Sequence, residues 1–174
     1  MQLEYKEKMD PHFVGQAIMP FQPSIIDSGV CSEEIPFGSP VSLAKTDVSD
    51  PFGAEVVKLL AADTEFHGVA VLVDGVEQDA YVTITPADPG PGQDTIVEAV
   101  ARYKEKAPCA IMKSGRVVVK FTEADAEIGE EVFPQADGSF STTDTNSVEG
   151  NVKAIVHRPA VEAGKLGIVE LFRA

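Results

Sequence analysis

The sequence predicts a mainly β fold, a small β-barrel or sandwich of jelly-roll or tulip-like form, with one short helix and an extended N-terminal arm. Three observations predict it. Short runs rich in Val and Ile recur at close spacing, 14 Gly and 12 Pro punctuate them, and only one segment combines a helical period with a cap. The arm takes residues 1–40 and the β-rich core residues 41–174. A chain of 174 residues suffices for one real core plus an arm and is short for two independent domains. With 44% hydrophobic and 24% charged residues it falls among ordinary globular chains and is not wholly disordered.

Residues 1–40 hold five prolines (Pro11, Pro20, Pro23, Pro36, Pro40) among isolated apolar residues, and keep neither a helical nor a strand period for long. Phe13, Val14, Ile18, Phe21, Ile25 and Ile26 are too many apolar side chains to leave in water. Burying each is worth ~1.5–3 kcal/mol, so they are candidate contacts with either the chain's own core or a neighbouring subunit. Ile35-Pro-Phe-Gly-Ser-Pro-Val-Ser-Leu43 reads as a turn leading into a short strand, and residues 46–53 as a loop. Ala54-Glu-Val-Val-Lys-Leu-Leu-Ala61 is too short for its period to separate helix from strand. Phe66-His-Gly-Val-Ala-Val-Leu-Val73 and Ala80-Tyr-Val-Thr-Ile-Thr85 read as strands joined through an Asp74-Gly75 turn.

Pro86-Ala-Asp-Pro-Gly-Pro-Gly-Gln-Asp94 has the composition of an exposed loop and lacks the pattern of a phosphate-binding loop. Asp94 is placed to cap a helix over residues 95–106, with Ile96, Val97, Val100 and Ala101 on one side, Glu98 four residues before Arg102, and Pro108 to end it. Ala110-Ile-Met-Lys-Ser-Gly-Arg-Val-Val-Val-Lys-Phe121 reads as two β segments meeting in a tight hairpin at Ser114-Gly115. Ile128-Gly-Glu-Glu-Val-Phe133 is a turn feeding a strand, Asp137-Gly138 another turn, and the Ser/Thr-rich residues 139–147 a loop or edge. Asn151-Val-Lys-Ala-Ile-Val-His157 and Leu166-Gly-Ile-Val-Glu-Leu-Phe172 are two closing strands.

The formal net charge is −14, unevenly spread. Residues 59–101 and 123–150 each hold eight acidic and no basic side chains. Between them Arg102, Lys104, Lys106, Lys113, Arg116 and Lys120 stand against Glu105 alone. A chain this acidic repels phosphate backbones, which argues against a nucleic-acid partner. The basic island is either a solvated hairpin face or a docking patch, with Lys113, Arg116 and Lys120 meeting an acidic neighbour. No apolar run approaches the ~20 residues of a spanning helix. The polar Met1-Gln-Leu-Glu-Tyr-Lys-Glu-Lys-Met-Asp10 lacks the layout of a secretory signal, so synthesis and residence in the cytoplasm are expected.

Catalytic and metal chemistry find little support. Cys31 and Cys109 are the only cysteines, too few for a disulfide framework and too far apart for a zinc motif, so buried free thiols are expected. His12, His67 and His157 form neither HxH nor HExxH, and no GxSxG elbow is present. Glu33-Glu34 and Glu130-Glu131 are adjacent, so in a strand they point to opposite faces. No catalytic residue, metal ligand or cofactor is therefore expected. A sugar-binding platform would use flat aromatic rings, yet the chain has no Trp and only Tyr5, Tyr81 and Tyr103.

Taken in order, several segments resemble the structural cement, or head decoration, proteins of tailed bacteriophages. They are Phe13-Val-Gly-Gln-Ala17, Ile35-Pro-Phe-Gly-Ser-Pro-Val41, Phe66-His-Gly-Val-Ala-Val71, Met112-Lys-Ser-Gly-Arg-Val-Val-Val-Lys120, Ile128-Gly-Glu-Glu-Val-Phe133 and Ala163-Gly-Lys-Leu-Gly-Ile-Val-Glu-Leu171. The likeness spans about residues 12–172, and departs from the pattern in an acidic insertion around 74–106 and in ten polar residues at the front. It implies a non-enzymatic protein of the virion, made in the host cytoplasm. Such a protein binds the outer face of the assembled head, bridges adjacent major capsid subunits as a homotrimer or homodimer, and holds the shell against packaged DNA. The alternatives are a surface-displayed carbohydrate- or host-receptor-binding module and, further off, a small β-barrel enzyme.

Overall fold

The computed structural model describes residues 14–18, 24–44, 55–72, 80–86, 97–144, 150–160 and 165–173, with the backbone alone for 80–86 and 97–101. Among these, thirteen strands follow one another: β1 (Ala17–Ile18), β2 (Ile25–Cys31), β3 (Ile35–Pro36), β4 (Pro40–Leu43), β5 (Glu55–Leu59), β6 (Gly68–Val71), β7 (Ala80–Pro86), β8 (Val97–Tyr103), β9 (Pro108–Lys120), β10 (Glu131–Pro134), β11 (Phe140–Ser141), β12 (Val152–Arg158) and β13 (Leu166–Arg173). The expected mainly β class holds.

The expected hairpin at Ser114-Gly115 is instead the middle of β9, thirteen residues long, which bends at Gly115 (φ 127°) without reversing. Its two halves serve two sheets. Residues 108–114 pair with β2 and residues 110–112 with β6, and β2–β5–β4–β6 completes a ring that returns to β9. This closed barrel mixes antiparallel pairs with one parallel pair, β2 with β5. Residues 115–120 pair with β13, from which β12, β10 and β11 continue. That second sheet curls until Phe140 of β11 bridges Phe121, just beyond the end of β9.

Alternation along β9 divides the core between the two units. Cys109 and Ile111 join Cys31, Ile35, Phe37, Val41, Val57, Ala70 and Tyr103 in one buried cluster. Ala110 and Met112, one residue out of phase, join Val117, Val119, Phe121, Val132, Phe140, Val152, Ala154, Val156, Val169 and Leu171 in the other. A strand buried on both faces must read as a continuous apolar run, and this is why the segment looks like two strands in sequence.

The helix expected over 95–106 is replaced by β8, which pairs antiparallel with β7 from Val97↔Pro86 to Tyr103↔Ala80 and with β3 at Ile35 and Pro36. Val97, Ala99, Ala101 and Tyr103 are also apolar at period two, with Glu98 and Arg102 on the other side and Val100 the one exception, so strand pairing outcompetes the helical period. Tyr103 anchors this outer sheet in the barrel: its hydroxyl donates to the Val71 carbonyl at 2.6 Å, accepts from the Ala110 amide at 3.3 Å, and its ring meets Phe37 edge-on at 4.7 Å. Burial pushes its phenol up to about 12. The ambiguous 54–61 segment contains β5, and the closing strands are β12 and β13. Residues 25–43, within or just beyond the expected arm, supply β2, β3 and β4, so the barrel begins well before residue 41. Residues 1–13, 19–23, the Asp74-Gly75 turn and the loop after Pro86 lie outside the described residues.

Candidate functional site

The middle of β9 is where strand pairing gathers several of the apolar and charged side chains singled out in sequence. Ile18 lies opposite Arg116, Ile25 opposite Ser114 and Ile26 opposite Met112, with a bulge between Ile25 and Ile26. β13 runs alongside β9 as far as Leu171↔Gly115, and Arg173 Nη2 then comes within 3.8 Å of Asp27 Oδ2 on β2. The end of β13 and the start of β2 therefore meet at a seam. Ile25 and Phe172 stand out from it, 40% and 38% exposed. Ile26 is half-buried against the core, and Ile18 half-buried on β1.

Beneath the seam lies an ion-pair network built on one buried cation. Lys113, only 6% exposed, reaches Asp27 at 2.8 Å and Glu55 at 3.0 Å, and Glu55 also meets His67 Nε2 at 2.7 Å. A buried ammonium is tolerated only when paired and hydrogen-bonded, and two carboxylates on β2 and β5 satisfy it. The Lys113 hydrogen bond holds the Asp27 carboxyl below its usual range. At Glu55 burial works against the charge, but hydrogen bonds from His67 and Lys113 outweigh it and lower the carboxyl. Arg116 Nε donates to Glu170 at 3.0 Å, and His157 lies 3.9 Å from the same carboxylate.

Of the nine residues singled out in sequence, the register thus brings together Ile18, Ile25, Ile26, Lys113 and Arg116. Lys120 is exposed at the far end of β9, opposite Leu166. Val14 is half-buried in the turn before β1, and Phe13 and Phe21 lie outside the described residues. The three cations do not share one open patch, because Lys113 and Arg116 turn to carboxylates of their own chain. Sequence reasoning missed Asp27, Glu55, Glu170 and Phe172. Only the strand pairing brings them to β9, and no local spacing announces it.

The remaining polar features are internal. Glu123 accepts from Ser141 Oγ, Thr142 Oγ1 and the Thr142 amide, and these bonds hold its carboxyl low. Cys31 and Cys109 are buried free thiols, and the hydrogen bond between them together with burial pushes the Cys31 thiol up. Among the described residues no group of three or more His, Cys, Asp or Glu is arranged to hold a metal ion. A cavity of about 180 Å³ opens beside β10 and β12, between Phe66, Val132, Phe133 and Val152.

Comparison with known proteins gives this surface its context. No curated protein matches the chain. Among solved structures, a chain of the capsid of Myoviridae phage XM1 has the same fold at 14% sequence identity, with a TM-score of 0.52 over 98% of this chain and 96% of that one. The family model for the structural cement protein (E217 gp24/Pam3 gp6) matches residues 1–172. With the whole β framework and nearly the whole sequence accounted for, the chain belongs to the structural cement protein family of phage capsids.

Proposed function

We propose that this capsid protein is a clamp: it binds the outer face of the assembled head, bridges adjacent major capsid subunits, and raises the pressure and temperature the filled shell withstands. The observation that carries the reading is the seam on β9, where Ile25 and Phe172 stay exposed while the neighbouring ion-pair network turns Lys113 inward. Apolar side chains presented by paired strands lose little freedom on docking, so their burial goes largely into affinity. The proline-rich N-terminal segment, with Phe13 and Phe21, acts as the arm that reaches a neighbouring subunit. A homotrimer fits best, because such proteins sit where capsid subunits meet around symmetry axes, and a homodimer is the alternative. Many modest contacts repeated over a symmetric shell reinforce it together. The acidic surface keeps particles apart and off nucleic acid.

The test is co-sedimentation of the purified protein with expanded heads that lack it, followed by heating of bare and occupied particles. Saturable binding with a raised rupture temperature is expected. Absence of binding to heads would remove the clamp reading and leave the fold unexplained by it.

A further inference from the structure

Resting on the reading that the chain docks on capsid subunits, we propose a second docking element on a different face. It is the turn Glu127-Ile-Gly-Glu130, an apolar knob whose partner is a socket on a capsid subunit with an apolar floor and a Lys/Arg rim. Ile128 at its tip is 74% exposed, against 38–45% for Ile25, Leu43 and Phe172. A lone exposed apolar residue is ordinary. What distinguishes Ile128 is that the chain holds it rigidly there.

The Glu130 amide donates to the Glu127 carbonyl at 3.1 Å, and the Glu127 amide donates back to the Glu130 carboxylate at 2.8 Å. Gly129 has a φ of 88°, the value a type II turn requires at its third residue. The turn is then tied to β12 twice, by the Gly129 amide donating to Val156 and the Val156 amide donating to Glu130, each at 2.8 Å. Four hydrogen bonds therefore fix a turn whose apolar tip stands mostly in solvent. A Cβ at Gly129 would meet nothing within 4 Å, so the space around the tip is open. A pre-ordered knob loses little entropy when it docks.

Charge around the tip selects the partner. Asp125, Glu127, Glu130 and Glu131 are exposed beside it, and residues 123–150 contain no Lys or Arg. Lys153 lies 3.5 Å from Glu131, and Arg158, exposed two residues beyond Val156, is a second cation on the strand that holds the turn, so four carboxylates stand against two cations. An acidic collar about an apolar tip is complementary to a basic rim about an apolar pocket. The turn hangs on β12, whereas the seam is built from β9, β2 and the end of β13, so the two surfaces are set apart on the sheet.

The probe is expanded heads lacking this protein, titrated with the intact chain and with Ile128→Asp, Ile128→Leu and the double variant Asp125→Lys, Glu127→Lys. Loss of one buried Ile weakens head binding roughly tenfold to a hundredfold in Ile128→Asp, with little change in Ile128→Leu. The double variant weakens binding at low salt and approaches the parent as salt screens the rim. Glu130 is left intact because it caps the turn. Ile128→Asp binding within twofold of the parent, with an unchanged melting temperature, overturns the knob while leaving the clamp in place. Failure of the parent chain to bind heads is a different result, which overturns the clamp and the knob with it.

Discussion

Lys113 shows how little a residue's formal charge says about its surface. In sequence it belongs to a basic island of six cations; in the fold it is buried and shared between Asp27 and Glu55, the latter 58 positions away. Replacing it with Met removes a cation from two carboxylates that are themselves partly exposed, at 39% and 36%, so water relieves part of the loss. Lys113→Met is expected to cost about 1–3 kcal/mol at neutral pH. The pH dependence follows from the two lowered carboxyls. Their contribution is present above their ordinary values of 3.8 and 4.5, and is lost as pH falls through the lower folded values. Denaturant melts of parent and variant should therefore differ at pH 7 and converge only once pH has fallen below both lowered carboxyl values. An equal gap at both pH values would show that Lys113 acts through packing of its stem instead.

Among the elements, the short Gly-containing motifs were legible as turns but not as partners of one another. Gly15 (φ 79°) and Gly38 (φ 76°) belong to two separate motifs, Phe13-Val-Gly-Gln-Ala17 and Ile35-Pro-Phe-Gly-Ser-Pro-Val41. The fold sets them face to face. A Cβ on Gly15 would come within 2.5 Å of Phe37 Cβ and 2.7 Å of the Gly38 nitrogen, and one on Gly38 would run into Val14. The amides follow the same contact, Gly15 donating to Val118 at 2.8 Å and Gly38 to Ala70 at 2.7 Å. Gly38→Ala combines backbone strain with a clash against backbone atoms, and is expected to cost about 2 kcal/mol or more. Gly129→Ala has the strain without the clash, and should cost about 1 kcal/mol. Similar melting shifts for the two would mean that the turns relax apart freely.

The same scale marks where local pattern stops being informative. Strand existence was readable at β6, β7, β12 and β13, where β-branched residues cluster between turns. β8 and β9 were misread because a seven-residue run fits two periods, and because a strand buried on both faces resembles two strands joined at its glycine. The seam was half legible. Its apolar members and cations stand out in sequence, but the acids that neutralise the cations come from β2, β5 and β13, which only the barrel and the second sheet bring to β9.

At the scale of the whole molecule, binding a shell and reinforcing it are separable, because a clamp carries load only when two of its surfaces grip different subunits. One surface on its own suffices for occupancy at high concentration; two are needed for an outward force on one subunit to reach the next. The seam is built from β9, β2 and the end of β13, and the Ile128 turn hangs on β12, which suits that division. The double variant Ile25→Ser, Phe172→Ser and the single variant Ile128→Asp, each added until heads are saturated, should both restore parent-like occupancy. Neither should restore the parent's gain in rupture temperature. A protein that merely coats the head behaves otherwise: its weakened variants protect fully once enough is added, since ligand binding stabilises by occupancy alone. Rupture temperature measured at matched occupancy distinguishes the two, and full protection by either variant would show that the protein decorates the shell without bridging it.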